Sequence, residues 1–540
     1  MHRIFQVPEI LNIIFGCLDG DDCDATLSAV ARTCKVFEEI ALENLWHTQS
    51  SLIPLLRIAP DAFEDKPNQE AIDSIKSKKS LKPADVMQLL SNRTFYGVRP
   101  LLPSESQRIY KYSSKIKRFE TSDILNPSID AASVFPILFN CDRDQHLFSN
   151  LRFLDWPIAG IQRADDSIIV RFMGPKLTSI DLYCFGDLNL DMAVIDILRN
   201  RCHMLSELAM GCTYNPGLSL ALRDLFDSSN MLRRVDCDVE LDICHVVSLS
   251  KLPNLEALEI SLRNGAAASR DVLSSPPSAF PSLESLVLHS NDFKALHSFF
   301  QLNFFGHLSS ISLHHSSFNA PRINDIENLF KIIAKHCCPD VLNSIVLEIK
   351  PTQSDVFSGA AALTGNTLKP LFHFSNIKVF KVRGEICYNI SDSDIENITT
   401  AWPLLRLLFF DPDCGLWPSP SLVSLRALHS LANNCSALQS FGALLEVKEF
   451  HMPMEYCGIR RKAFRHLHVG PSEIIEPDAV GYIAATLSEL FYGITSLHSW
   501  VGYAQDDTHA AAQSERWKSV YKTYVLLSSV RLHERKLLSR

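Results

Sequence analysis

One short pattern constrains this chain more than any other feature. The unit apolar-x-x-apolar-x-apolar recurs twelve times between Leu151 and Val469, with starts 23 to 35 residues apart. The clear copies are Leu151/Leu154/Trp156, Leu177/Ile180/Leu182, Leu205/Leu208/Met210, Leu232/Val235/Cys237, Leu255/Leu258/Ile260, Leu283/Leu286/Leu288, Leu308/Ile311/Leu313 and Leu342/Ile345/Leu347. Weaker copies are Ile377/Phe380/Val382, Leu405/Leu408/Phe410, Leu438/Phe441/Ala443 and Phe464/Leu467/Val469. The alternation at the end of each unit is that of a strand buried on one face. Helical patterns fill several gaps, such as 191–202, 293–305 and 323–337. One short strand and one helix cannot enclose a core, so each unit must bury its apolar side against the next.

A strand followed by a helix at this period predicts an α/β leucine-rich-repeat-like solenoid of parallel short strands and helices. The other arrangement compatible with the pattern is a non-repeating α/β fold with a parallel sheet. The copies are degenerate. Only Leu283–Phe293 has the full pattern, with Asn291 at the turn, and Leu308–Phe318 puts Ser316 there. An asparagine ladder is mostly absent, and irregular curvature is expected. "LLRLLFF" (Leu404–Phe410) suits a buried strand. An open array needs a lid. Trp517, Val520, Tyr521, Tyr524, Val525 and Leu527 place the apolar face of a capping helix within Glu515–Lys536.

Length alone, at 540 residues, predicts three to four domains unless an array absorbs most of the chain. The chain is 46% hydrophobic and 21% charged, which is the composition of a globular protein. A net charge of −9 argues against a broad basic surface for nucleic acid. Fifteen scattered cysteines without a CxxC pair predict reduced thiols and a cytoplasmic or nuclear setting. The amino-terminal run is interrupted by Pro8, Glu9 and Asn12 and followed by Asp19, Asp21, Asp22 and Asp24, so it does not read as a secretion signal.

That run, Val7–Gln49, is the second informative feature. Pro8 suits a first helical position and Glu9 the first turn. Ile10, Leu11, Ile14, Phe15 and Leu18 then follow at helical spacing, with Ile13 widening the stripe. Asp22 or Asp24 can cap a second helix, in which Leu27, Val30, Ala31 and Cys34 share a face. Phe37, Ile40, Ala41, Leu45 and Trp46 continue the apolar pattern. No Gly or Pro divides this stretch, so periodicity alone allows one helix from Asp24 to Trp46. Some 40 residues cannot bury this much apolar surface among themselves. It must be covered by the rest of the chain or by another protein.

"VPEILNIIFGCL…DATLSAVARTCKVFEEIALENLW" resembles an F-box. Val7, Pro8, Glu9, Ile10, Ile14, Phe15, Leu18, Leu27, Val30, Cys34, Lys35, Phe37, Leu45 and Trp46 fall in the family's register, whereas Gly16 departs from it. With degenerate repeats behind it, the whole chain is similar to fungal F-box proteins. The resemblance implies a three-helix F-box with a break between the second and third helices. It implies docking on the Skp adaptor of a cullin–RING ubiquitin ligase, and through it association with cullin and RING subunits. The implied partner-binding residues are Pro8, Glu9, Ile10, Ile14, Leu18, Leu27, Val30, Cys34, Phe37, Leu45 and Trp46. The expected organisation is F-box 1–50, a helical and charged connector 51–120, solenoid 121–500 and capping helix 501–540. The basic stretch Ser106–Glu120 reads as an amphipathic helix running into a strand, with Ile109, Tyr112, Ile116 and Phe119 inward.

The chain lacks a Gly-rich phosphate loop, Gly-x-Ser-x-Gly and His-Glu-x-x-His, so an enzyme is not expected. No cofactor and no metal are expected either. Cys457 with His466 and His468 has the wrong spacing for zinc. His314, His315, Asp411 and Asp413 read as solvated groups. Strand residues that alternate with buried ones form an outward row. It contains Asp155, Asp181, Tyr183, Asp236, Asp238, Glu259, His289, His314, Glu348, Lys381, Arg383 and Asp411. Asp181, Asp236, Asp238 and Glu259 are candidate contacts to a client protein carrying basic residues; the plainer reading is a solvent face. The expected function is substrate recognition for an SCF-type ligase. The alternative is a repeat scaffold with no link to ubiquitin, its amino terminus packed on its own solenoid.

Overall fold

Strands form where the repeat pattern sits. In Ser310–His315, Ile311 and Leu313 are fully buried, while Ser310, Ser312 and His314 are half-buried on the opposite face. Neighbouring strands pair in parallel and in register. Leu286, Ile311, Ile345 and Phe380 therefore form one buried row, and Leu288, Leu313, Leu347 and Val382 the next. The leading leucines, Leu283, Leu308 and Leu342, enter the same core from the turn before each strand.

The computed structural model describes residues 7–18, 23–67, 93–120, 129–139, 146–156, 166–183, 188–211, 216–263, 278–316, 322–350, 362–447, 461–476, 478–501 and 507–538. Asp19, Asp21, Asp22 and Cys457, all singled out above, lie outside the described residues, as do residues 68–92 of the expected connector.

The chain divides into two units, Met1–Val239 and Glu240–Arg540. Both are α/β and built as stretches of solenoid, with parallel strands following one another in sequence order and helices between them. In the first unit the strand order is Thr48–Gln49, Arg118–Glu120, Phe153–Trp156, Ser179–Tyr183, Glu207–Gly211 and Arg234–Leu241. The first two precede the repeat pattern: Arg118–Glu120 contributes one buried side chain, Phe119, where the strands after it in this order contribute two to four. The helix Pro103–Ser113 feeds this strand, with Ile109, Ile116 and Phe119 buried. In the second unit the strands run from Ala257–Leu262 to Ser496–Ser499.

The helices Leu188–Arg201, Phe293–Leu302 and Ile323–His336 lie within or close to the predicted spans. Asn291 is exposed and builds no ladder. Asp292 caps the following helix instead, accepting from Lys294 N at 2.9 Å. Gly384, paired with Ile349 across the sheet, has φ +113°, and a Cβ there would lie 1.8 Å from the Ile349 carbonyl oxygen. The terminal helix Thr508–Leu538 packs on helix Ala479–Leu490 through buried Trp517, Val520 and Tyr524. Trp517 Nε1 donates to the Ser472 carbonyl at 2.7 Å. Val525, expected on the same face, is 44% exposed.

Three helices open the chain: α1 (Pro8–Gly16), α2 (Cys23–Ala31) and α3 (Lys35–His47). The break between α2 and α3 needs neither Gly nor Pro. Thr33 Oγ1 turns back to donate to the Val30 carbonyl at 2.7 Å, as hydroxyl side chains do in competition with helix. Cys34 is extended at φ −158°, ψ 159°, and its carbonyl receives the first amides of α3, from Phe37 and Glu38. The turn brings Leu27, Ile40 and Ala41 onto Leu11 and Phe15, forming a small core of their own.

Candidate interaction surfaces

α3 is fastened to the array at its carboxyl end. Trp46 lies against Tyr112 with ring centroids 5.0 Å apart. Lys117 N donates to the His47 carbonyl, and Thr48–Gln49 joins the sheet. Lys115 Nζ sits 2.7 Å from Glu39 Oε1, and this hydrogen-bonded ammonium holds the Glu39 carboxyl below its ordinary value.

α1 packs on α3 through one side only. Leu11 and Phe15 face inward, Phe15 meets Phe37 edge-on at 5.8 Å, and Asn44 Nδ2 donates to Asn12 Oδ1 at 2.8 Å. The opposite face exposes Val7 (37%), Ile10 (36%), Ile13 (67%) and Ile14 (41%). The apolar stripe is thus two-sided, and half of it is left over. Pro8 and Glu9 are exposed at the helix start, while Leu18, Val30, Phe37 and Leu45 are partly buried against the small core, and Cys34 is half-buried. Leu27 and Trp46 are buried within the unit, Leu27 under α1 and α3 and Trp46 beside Tyr112, so neither has a side-chain surface to offer a partner. Ile13, at the edge of the stripe by periodicity, is the most exposed of the set.

The outward strand face of the first unit is acidic. Cross-strand register places Glu120, Asp155, Asp181, Ala209 and Asp236 side by side. Glu120 is paired with Arg118, whose guanidinium lies 3.9 Å over the Phe153 ring. Burial, and then the neighbouring Asp181 and Glu120 charges, push the Asp155 carboxyl up; burial does the same for Asp181. Asp238 lies two residues beyond Asp236 and is exposed. Glu259, in the second unit, is already bonded to His289 Nε2 at 2.9 Å. Of the candidate client contacts, Asp181, Asp236 and Asp238 lie on the first unit's strand face, and Glu259 belongs to a network within the second unit.

That network crosses five strands of the second unit. His289 stacks on His314 at 4.7 Å, His314 Nδ1 lies 3.4 Å from Glu348, and Lys381 Nζ is 2.6 Å from Glu348. Burial and the adjacent His289 lower the His314 pKa, with Glu348 and Glu259 opposing. The expectation that His315 and Asp411 are solvated is wrong. His315 is 3% exposed, because it occupies an inward strand position beside Phe293. Asp411 is 2% exposed, because it accepts from the amides of Gly384, Asp413 and Cys414.

Further along the second unit, His468 stacks on His498 at 4.3 Å and meets the Phe409 edge at 5.6 Å. Burial, and then the charges of His498 and His466, bring its pKa down from 6.5 to about 4. The folded protein therefore binds fewer protons here than the unfolded chain between those values. This group's contribution to stability is full above pH 6.5 and is lost as pH falls toward 4. Thermal unfolding of His468→Gln across that window is expected to show a shallower acid limb than wild type; parallel limbs would contradict it.

Among the described residues, one group of three possible metal ligands converges, namely Asp242, Cys244 and His245. A helix start accounts for it, since the Asp242 amide donates to His245 Nδ1 at 3.2 Å. Cys17 and Cys23, close in sequence, carry free thiols, and Cys23 Sγ donates to the Leu18 carbonyl. No helix among the described residues is long and apolar enough to cross a membrane.

No family model and no curated protein matches this chain. Among solved structures it is similar to a chain in the crystal structure of the Rad7 and Elc1 complex in yeast, at 13% identity and TM-score 0.35, covering 76% of this chain and 86% of that one. It is also similar to a leucine-rich-repeat protein of Leptospira interrogans, at 12% identity and TM-score 0.32, covering 65% and 84%. A third is the leucine-rich repeat-containing protein LegL7 from Legionella pneumophila, at 11% and 0.27, covering 57% and 87%. At these scores the likenesses carry nothing about partners or activity.

Proposed function

We propose that this chain is the substrate-recognition subunit of an SCF-type cullin–RING ubiquitin ligase. α1 to α3 dock on a Skp-type adaptor, and the solenoid holds a client protein. The observation that supports this most is the divided apolar stripe of α1. One side closes a three-helix core whose third helix is tied to the array, and the other leaves Val7, Ile10, Ile13 and Ile14 exposed. The register of the F-box resemblance supports a Skp-type adaptor as the partner that covers such a face. The chain performs no chemistry in this reading. It works in the cytoplasm or nucleus by tethering, which raises the effective concentration of client lysines at the ubiquitin donor.

The test is direct. Full-length protein mixed with a purified Skp-type adaptor at micromolar concentration is expected to co-elute as a one-to-one complex. Separate elution would overturn the proposal in favour of a repeat scaffold without a ubiquitin link.

A further inference from the structure

Along the sequence, His466 and His468 have no third ligand at a usable spacing. The fold supplies one from the next repeat. Strand His466–Gly470 pairs in parallel with Ser496–Ser499, and the register sets His468 beside His498. His466 and His468 flank buried Leu467 and so share the outward face. Three imidazoles thus occupy one patch, two on a single strand and the third on its neighbour. The separations are about 6.6 Å along the strand and about 4.8 Å across it.

Phe409 backs the patch from two strands away. Gly442 lies on the strand between, and a Cβ there would collide with the Phe409 ring. Without one, the ring reaches across to meet His468 edge-on at 5.6 Å.

The second unit holds two histidine stacks, and they differ in what engages them. In the first, His289 is bonded to Glu259, and His314 is held by Ser312 and Glu348, with Lys381 alongside. In the second, His468 and His498 lie 4.3 Å apart and 13° from parallel. Among the described residues no hydrogen bond or ion pair occupies their ring nitrogens. His466 Nδ1 meets the Ser496 hydroxyl at 2.7 Å, a neutral partner that a metal ion can replace. Burial and the two neighbouring histidines bring the His468 pKa down to about 4, so no proton competes for its lone pair at neutral pH. Asp413 is close enough to His498 for their charges to interact. A carboxylate is a common partner for the second nitrogen of a metal-bound histidine.

Neutral imidazoles suit zinc and its neighbours among the transition metals, whereas magnesium and calcium take oxygen ligands. We propose that His466, His468 and His498 bind a transition-metal dication of the zinc class. As they stand the rings do not converge on one point. The ion draws them together by side-chain rotation, which is soft for the outer torsion of histidine, and the strands stay in place. Three histidines leave the fourth tetrahedral position open. The site is independent of the adaptor, because a chain that binds no adaptor can still bind zinc here.

The probe is Zn²⁺ titrated into full-length protein stripped of metal by a chelator, with Co²⁺ as its coloured substitute. One equivalent of Co²⁺ is expected to bind with the visible absorption of a tetrahedral, nitrogen-ligated ion, and Zn²⁺ should displace it. His466→Ala, His468→Ala and His498→Ala should each weaken Zn²⁺ binding by more than about tenfold, since losing even a group that supports a ligand costs about 10–100-fold. His289→Ala and Cys457→Ser should bind as the wild type does. His466 and His498 are exposed, so their variants should melt with the metal-free wild type, which separates a lost ligand from a lost fold. Absence of Co²⁺ binding would overturn the assignment. So would undiminished binding by any of the three variants, which marks an adventitious ion only, or a thiolate-to-cobalt band that Cys457→Ser removes.

Discussion

Replacing Asp411 with alanine is expected to destabilise the second unit by about 3–5 kcal/mol. The carboxylate is 2% exposed and accepts from Gly384 N at 2.9 Å and from Asp413 N and Cys414 N at 3.1 Å each. Removing it leaves three amides without acceptors, and each buried unsatisfied donor costs about 1–3 kcal/mol. Water recovers part of the sum, because Asp413 and Cys414 are exposed. Against a total stability on the order of 5–15 kcal/mol this is a large fraction. Asp411→Asn should fall between the two. Its carbonyl can still serve the Asp413 and Cys414 amides, but its NH₂ then faces the Gly384 N–H. Urea unfolding of the full chain, followed by the fluorescence of its six tryptophans, reads the effect; one of them, Trp417, has its indole bonded to the Asp411 carbonyl. A loss below about 1 kcal/mol would show that the loop holds itself without this side chain.

The pair Ile13→Asp and Ile14→Asp is expected to abolish co-elution with the adaptor while leaving the melting temperature unchanged. Both side chains are substantially exposed, at 67% and 41%, so the isolated protein loses little packing. In a complex the same positions would place two carboxylates against apolar surface, at a cost of several kcal/mol, which weakens binding by more than about 100-fold. Leu11→Asp is the contrasting variant. Leu11 is 0% exposed at the centre of the three-helix core, so that change should unfold the helices as well. Deleting residues 1–48 would be harder to read, because it also strips Trp46 from Tyr112 and removes Thr48 from the sheet. Full adaptor binding by the double variant would mean that the outer face of α1 is not the contact.

The array was legible because its signal is repeated. Leu286, Ile311, Ile345 and Phe380 are each unremarkable, but their recurrence with a leading apolar residue three positions earlier predicts parallel strands, and all four fall in one buried row. The earliest strands carry a weaker signal, since Arg118–Glu120 buries Phe119 alone. The break between α2 and α3 was invisible to periodicity. It depends on Thr33 folding back onto Val30 and on Leu27, Ile40 and Ala41 all reaching one core, and spacing along a single helix does not encode that.

The loop around Asp411 shows the same division. Gly384, which donates to Asp411, lies 27 residues before it, and the sequence marks Asp411 only as a polar residue after a strand. Sequence by itself determined the parallel α/β architecture, the capping residues Trp517, Val520 and Tyr524, and a surplus of apolar surface at the amino terminus. These follow from local period and composition, which any short window carries. Only the tertiary structure decided which side of α1 that surplus lies on, that Leu27 and Trp46 are inside, that Glu259 is bonded to His289, and that Asp411 is buried beneath three amides. Each of those depends on a partner remote in sequence or on a loop's own hydrogen bonding, and burial is a property of the neighbours a residue meets.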